Sequence, residues 1–246
     1  MRLLSFDTPA NPVVRIGIAV TVGGADYIID AGEAYRLYLS QTMNEGLARR
    51  TAAALVPADM AHLLAGGDDS ARALRALTTY AGSALDSAEG TAEWAASGRL
   101  HRWGDVRLAP PVPDPSKILA IGANYPDGAA WPTGPAPDPV VFAKLPSGLV
   151  PSGAEVALPP GCTDLDYEGE LAVVIGRSCH LVAVGDALDA VAGYTIINDL
   201  TRRELLAGER TRGPIMFGKN SAGAAPYGPV LVTADKFGGP AAETLS

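Results

Sequence analysis

Asp164, Asp166, Glu168 and Glu170 occupy every second position of the segment Cys162–Gly176, which continues into the apolar run Leu171-Ala172-Val173-Val174-Ile175. In an extended strand, residues two apart share a face, so the four carboxylates are expected to project the same way. Neighbours on such a face lie about 7 Å apart. At an effective dielectric near 20, each ionised pair costs roughly 2.4 kcal/mol. A strand that enters a core through Leu171, Val173 and Ile175 while carrying this row needs positive charge opposite it. An oxygen-preferring divalent cation meets that need. The plainer reading is a solvated edge, where the acidic row blunts strand pairing.

A second segment, Gly193–Leu206, reads as a buried strand ending in Asn198-Asp199, followed by a helix. Thr201 and Glu204 have capping-box spacing, which would start that helix by satisfying its free N–H groups. Asp199 is then either a helix-entry residue favoured by the dipole or a third carboxylate facing Glu168 and Glu170. A third segment, Gly213-Pro214-Ile215-Met216-Phe217-Gly218-Lys219-Asn220, matches the G-x-x-x-x-G-K part of a phosphate-binding loop. Asn220 stands where a magnesium-binding hydroxyl is needed, and Pro214 lacks an N–H for the phosphate cradle, which argues against nucleotide binding. His62, His101 and His180 are scattered and receive no role. There is no G-x-S-x-G nucleophile elbow.

The elements that must position these residues fall into two parts. Arg2–Phe6, Val13–Val20 and Asp26–Asp30 form an expected β-meander with a Gly23-Gly24 turn. Residues 33–94 have helical spacing, and residues 1–108 form an N-terminal α/β lobe. A proline-rich linker covers 109–116. Beyond it, Ile118–Ile121, Val140–Lys144, Glu155–Leu158, Leu171–Ile175, Tyr194–Ile197 and Val230–Thr233 are expected strands, with a helix over Asp186–Val191. The fold class is therefore α+β: a small meander with helices, then a mostly β domain over 117–246. The 246 residues carry a formal charge of −8, which argues against nucleic-acid binding by counterion release. No run approaches the roughly 20 apolar residues of a bilayer span. Cys162 and Cys179 fit no ligand spacing, and a reducing cytoplasm is the expected location.

Taken together, the segments Lys117–Tyr125, Pro139–Ser147, Asp166–Gly176, Gly193–Arg203, Gly218-Lys219 and Gly228–Thr233 resemble the fumarylacetoacetate hydrolase family in type and order. The E-x-E pair followed by N-D is the most specific part. The resemblance implies a catalytic domain of mixed β-roll or sandwich type and a homodimer. It implies a Mg²⁺, Mn²⁺ or Ca²⁺ ion held by Glu168, Glu170 and Asp199, with Asp164 and Asp166 outside the ligand set. The implied substrate is a small 2-oxo or β-diketo acid, hydrolysed, decarboxylated or isomerised through a metal-stabilised enolate. Lys219 matches the family lysine beside the metal, and Tyr125, Lys144 and Arg203 match pocket positions. Apart from the resemblance, the lysines read as solvated charges and Arg203 as part of a helix-surface ion pair.

There are three departures from the family pattern. Its histidine–glutamate pair corresponds to Gly128 and Trp131, neither of which can act as a base. Its glutamine corresponds to Leu206. Its Thr-Gly-Thr-Pro substrate loop has no counterpart before Ser246, so the domain is expected to be C-terminally incomplete. The departures favour enolisation or isomerisation over hydrolysis, with Asp127 as a substitute base. The alternative is a metal-binding relative without turnover.

Overall fold

The computed structural model describes residues 1–122, 124, 138–212 and 214–237, without the side chains of 210–212. The chain opens with an antiparallel meander of β1 (Arg2–Thr8), β2 (Asn11–Val22) and β3 (Ala25–Asp30). Val22 pairs with Ala25 across Gly23 and Gly24, whose φ values of 57° and 81° are those a tight two-residue hairpin demands. Five helices follow: α1 (Ala31–Ser40), α2 (Glu45–Leu55), α3 (Met60–Ala65), α4 (Gly67–Ala84) and α5 (Ala88–Ala96). Asp30, Asn44, Asp59 and Ser87 cap four of them by accepting a backbone N–H three residues on. In α4, Ala73, Leu74, Leu77 and Ala81 recur at helical spacing and are buried against the meander side of the core.

Short strands β4 (Leu100–Arg102) and β5 (Arg107–Ala109) return to β3 and β1. Then come β6 (Ile118–Gly122), β7 (Val140–Lys144), β8 (Leu149–Pro151), β9 (Leu165–Asp166), β10 (Gly169–Ile175) and β11 (Val191–Asn198). The chain continues through β12 (Thr201–Arg202), α6 (Arg203–Arg212), β13 (Ala225–Tyr227), β14 (Leu231–Thr233) and α7 (Ala234–Phe237). Among the described residues, ten strands share one curled, half-barrel sheet along the order β4-β3-β2-β1-β14-β11-β13-β8. In addition, β5 pairs with β1 and β10 with β11.

Strands on either side of the proline-rich segment are joined by the β1/β14 pair, Arg2 opposite Val232 and Leu3 opposite Leu231. Tyr227 and Leu231 belong to the same apolar cluster as Leu3, Ile16 and Leu77. Gly193 permits the next junction. A Cβ there would lie 2.2 Å from the Val232 carbonyl oxygen, so only glycine lets β11 and β14 approach.

Several local expectations are corrected. Glu155–Leu158 forms no strand; Pro159 and Pro160 follow directly and cannot donate to a ladder. The helix expected over Asp186–Val191 is a 3₁₀ segment over Val184–Ala190. The capping box is not made. Thr201 pairs with Asp166 in β12/β9 and donates its hydroxyl to the Asp199 carbonyl at 2.8 Å, while Glu204 accepts from Arg202. The core face of β10 is also the opposite of that expected. Ala172 and Val174 pack on the core, whereas Val173 (48 % exposed), Ile175 (55 %) and neighbouring Ile196 (62 %) face outward. Strand parity holds, but the carboxylate parity, not the branched one, turns toward the rest of the protein.

Candidate functional site

The acidic row is not one continuous strand. Asp166 ends β9, and its carboxylate accepts the N–H of Tyr167 at 2.9 Å. The Glu168 N–H is taken by the side-chain oxygen of Asn198 at 3.0 Å. These side-chain bonds replace a strand partner and break the extended run before β10 begins at Gly169. Asp164 stays exposed and contributes its backbone carbonyl to the N–H of Arg203.

Glu168 and Asp199 are brought together by register. Gly169 pairs with Asn198 at the end of β10/β11, and one step further the Asp199 N–H donates to the Glu168 carbonyl at 2.8 Å. Lys219, at the end of the turn after α6, inserts between the two side chains. Its Nζ lies 2.5 Å from Glu168 Oε2 and 2.7 Å from Asp199 Oδ2, and 5.4 Å from the Phe142 ring centroid. Lys144, the last residue of β7, donates to Asp199 Oδ1 at 2.5 Å and to the Lys219 carbonyl at 2.6 Å. Lys144, Asp199 and Lys219 are each only 4 % exposed. Arg203 at the start of α6 closes the open side, its Nη2 being 2.7 Å from both Asp166 Oδ2 and Glu168 Oε1.

The structure thus gathers Glu168, Asp199, Lys219, Lys144 and Arg203 in one network, with Asp166 joined through Arg203. Lys144 and Lys219 are buried and paired, not solvated, and Arg203 bridges two carboxylates across elements. Glu170 lies within electrostatic range and differs from the rest. Among the described residues its side chain has no hydrogen bond or ion pair. Burial pushes its carboxyl above the usual range, and the charges of Glu168 and Asp199 push it further. Burial pulls the Lys144 ammonium below its ordinary value, against the opposing pull of Asp199.

Four carboxylates (Asp166, Glu168, Glu170, Asp199) face three cations, so ionised groups leave negative charge in excess. Glu168, Glu170 and Asp199 are all hard oxygen donors, and this donor chemistry fits a divalent cation of the magnesium or calcium type. Among the described residues, however, no three acidic, histidine or cysteine side chains form a preassembled ion site. The Lys219 ammonium takes the space between Glu168 and Asp199 instead. Tyr125 lies outside the described residues, as do Asp127, Gly128 and Trp131.

Two participants were not singled out from sequence. Glu209 of α6 accepts the backbone N–H groups of Met216 at 3.2 Å, Phe217 at 2.5 Å and Gly218 at 3.1 Å. Asn220 accepts the Leu145 N–H at 2.6 Å and donates to the Ala143 carbonyl at 3.1 Å, tying the Lys219 turn to β7. The available signal was Asn220 itself, an amide able to bond backbone in both directions, beside an otherwise glycine-flanked lysine.

Comparison with known proteins agrees with this architecture. Residues 117–246, more than half of the chain, match the family described as fumarylacetoacetate (FAA) hydrolase C-terminal. Over 139 residues the chain is 37 % identical to a mitochondrial oxaloacetate tautomerase of Homo sapiens, covering 56 % of this chain and 44 % of that protein. It is 41 % identical over 139 residues to a 2,4-didehydro-3-deoxy-L-rhamnonate hydrolase of a Sphingomonas species, covering 56 % of this chain and 48 % of that one. The matched region therefore spans about half the length of these curated relatives. Among solved structures, a maleylpyruvate hydrolase from Sphingobium superposes with a TM-score of 0.60 at 28 % identity, over 98 % of this chain and 71 % of the other. A fumarylacetoacetate hydrolase from Exiguobacterium antarcticum gives 0.60 at 26 %, over 96 % and 68 %. Among the described residues, no helix is long and apolar enough to cross a membrane. With its catalytic-type domain matched from Lys117 onward and its sheet superposing on those of solved relatives, the chain belongs to the fumarylacetoacetate hydrolase family.

Proposed function

We propose that the chain acts on a small 2-oxo or β-diketo acid with the help of a hard divalent cation, Mg²⁺ before Mn²⁺ or Ca²⁺, and that keto–enol interconversion suits its residues best. The observation that supports this reading is the pairing of Glu168 and Asp199 on the one ammonium of Lys219, with Glu170 in electrostatic range of all three and, among the described residues, without an ion pair.

Glu168, Glu170 and Asp199 would hold the ion, which supplies Lewis-acid polarisation of a carbonyl. Lys219, released from Glu168, directs its Nζ to the substrate oxygen on which negative charge develops. Lys144 holds the Asp199 carboxylate in place from the buried side. Arg203 fixes Glu168 on the open side and presents its guanidinium to a substrate carboxylate. Among the described residues no histidine joins this network, and a base for water activation has no evident source there. That favours proton relocation over hydrolysis, in keeping with a relative named as an oxaloacetate tautomerase.

The test is to follow enol-to-keto conversion of oxaloacetate by ultraviolet absorbance with Mg²⁺. Decarboxylation of oxaloacetate and hydrolysis of an acylpyruvate are run in parallel. Turnover is expected in the first assay and its loss in Glu168→Gln. Turnover in none of the three, with a melting shift in Mn²⁺, would instead identify a metal-binding relative without activity. A homodimer is part of the proposal, its contact including the outward face of Val173, Ile175 and Ile196. Sedimentation equilibrium on the wild type and Ile196→Glu tests it, a monomeric wild type being the contrary result.

A further inference from the structure

The turn that delivers Lys219 is held from below by a carboxylate that takes no part in the ligand set. Glu209 sits on α6 and spreads both oxygens over three consecutive N–H groups. Oε2 accepts from Met216 at 3.2 Å and Gly218 at 3.1 Å, and Oε1 accepts from Phe217 at 2.5 Å. Successive N–H groups aimed at one point form an anion-binding concavity, and here the anion is built into the chain. Gly218 suits the fit, since a Cβ there would stand 3.1 Å from Glu209 Oε2 and 3.1 Å from the Leu206 N and would push its neighbours back by a few tenths of an ångström. The far side of the turn is braced by Asn220, bonded to Leu145 and Ala143, and by Lys144 on the Lys219 carbonyl. The turn is thus clamped between α6 and β7, and the residue it projects is Lys219. In the stretch that imitates a phosphate-binding loop in sequence, the N–H groups of Met216, Phe217, Gly218 and Lys219 are already occupied.

We propose that Glu209 is a positioning residue for Lys219. By fixing the Met216–Gly218 backbone it sets where the Lys219 ammonium stands between Glu168 and Asp199. This rests on the reading of Lys219 as the substrate-facing ammonium. Charge-assisted bonds to backbone are strong enough that losing them should free the turn about ten- to a hundred-fold more often.

The experiment is pulse acetylation of the metal-free chain with acetic anhydride, read lysine by lysine by mass spectrometry, on wild type, Glu209→Gln and Glu209→Ala. Lys117 and Lys236 are exposed and report reagent strength, and amide exchange over the β1/β2 pair reports global opening. Gln is isosteric with Glu, but it offers one acceptor oxygen and turns an amide donor toward N–H groups. Both variants should raise Lys219 labelling at least tenfold relative to Lys117 and Lys236, and amide exchange should speed up at 216–218. Unchanged Lys219 labelling in Glu209→Gln overturns the proposal, as does amide exchange over β1/β2 that speeds up by the same factor. Because no metal or substrate is present, such a failure leaves the metal reading standing. An absent Mn²⁺ shift in the wild type leaves the role of Glu209 standing in turn.

Discussion

Asp199 donates its backbone N–H to the Glu168 carbonyl while both side chains bond the same Lys219 ammonium, at 2.7 and 2.5 Å. The main chain therefore sets the spacing of the two carboxylates, and the lysine records how close they are. That closeness makes the cluster sensitive to the loss of any one charge.

Asp199→Asn is expected to destabilise the fold by about 3 kcal/mol, since it leaves the buried ammoniums of Lys144 and Lys219 without their shared counter-charge. Urea denaturation of the variant and the wild type measures it. A midpoint equal to that of the wild type would show that water or movement of the lysines relieves the repulsion.

Divalent cation binding should raise the melting temperature. At a cation concentration about 100 times Kd the native state gains about 2.7 kcal/mol, which for a chain of this size means about 5–10 °C. The shift should vanish in Glu170→Gln, because among the described residues Glu170 is the carboxylate of the cluster with no competing ion pair. A thermal scan in Mn²⁺ with and without chelator reads it, and an equal shift in the variant would remove Glu170 from the ligand set.

Stability should fall on mild acidification through His101. Burial holds its imidazole below the ordinary value, and Arg15 adds to this. Its Nε2 is buried without a hydrogen-bond partner among the described residues, and the ring packs 5.5 Å from that of Phe6. The unfolded chain therefore takes up the proton first, near pH 6.5. Stability is full above that pH and declines as pH falls from there through the folded value. Urea midpoints between pH 8 and pH 5.5 should show the decline, and His101→Gln should shrink it.

Gly193→Ala should cost about 1–3 kcal/mol, because the added Cβ meets the Val232 carbonyl at the β11/β14 junction. Denaturation midpoints measure it. Gly82→Ala in α4, where an added Cβ meets nothing within 4 Å, is the control and should not destabilise.

Much of this protein follows from local chemistry. The meander, its Gly23-Gly24 turn and the capped helices over 31–96 are legible because periodicity, caps and turn residues act within a few positions. The positions of Glu168 and Asp199 are legible for a related reason, as each stands at one end of a short apolar strand. Other features needed the tertiary structure. The core side of β10 depends on what lies across from it, and alternation alone gives two equal faces. Thr201 and Glu204 have capping-box spacing, yet Asp166 and Arg202 compete for them and win. The clamp of Glu209 on Met216–Gly218 has no periodicity to betray it.

From residue types alone come the acidic row, the lysine after Gly218 and the order of segments that marks the family. Folding alone decides which of those charges meet. Asn198 breaks the row, the β10/β11 register seats Asp199 beside Glu168, and α6 with β7 aims Lys219 between them. The reason is range: propensity acts over one turn or one strand pair, whereas charges far apart in the chain become neighbours only after packing has closed the distance.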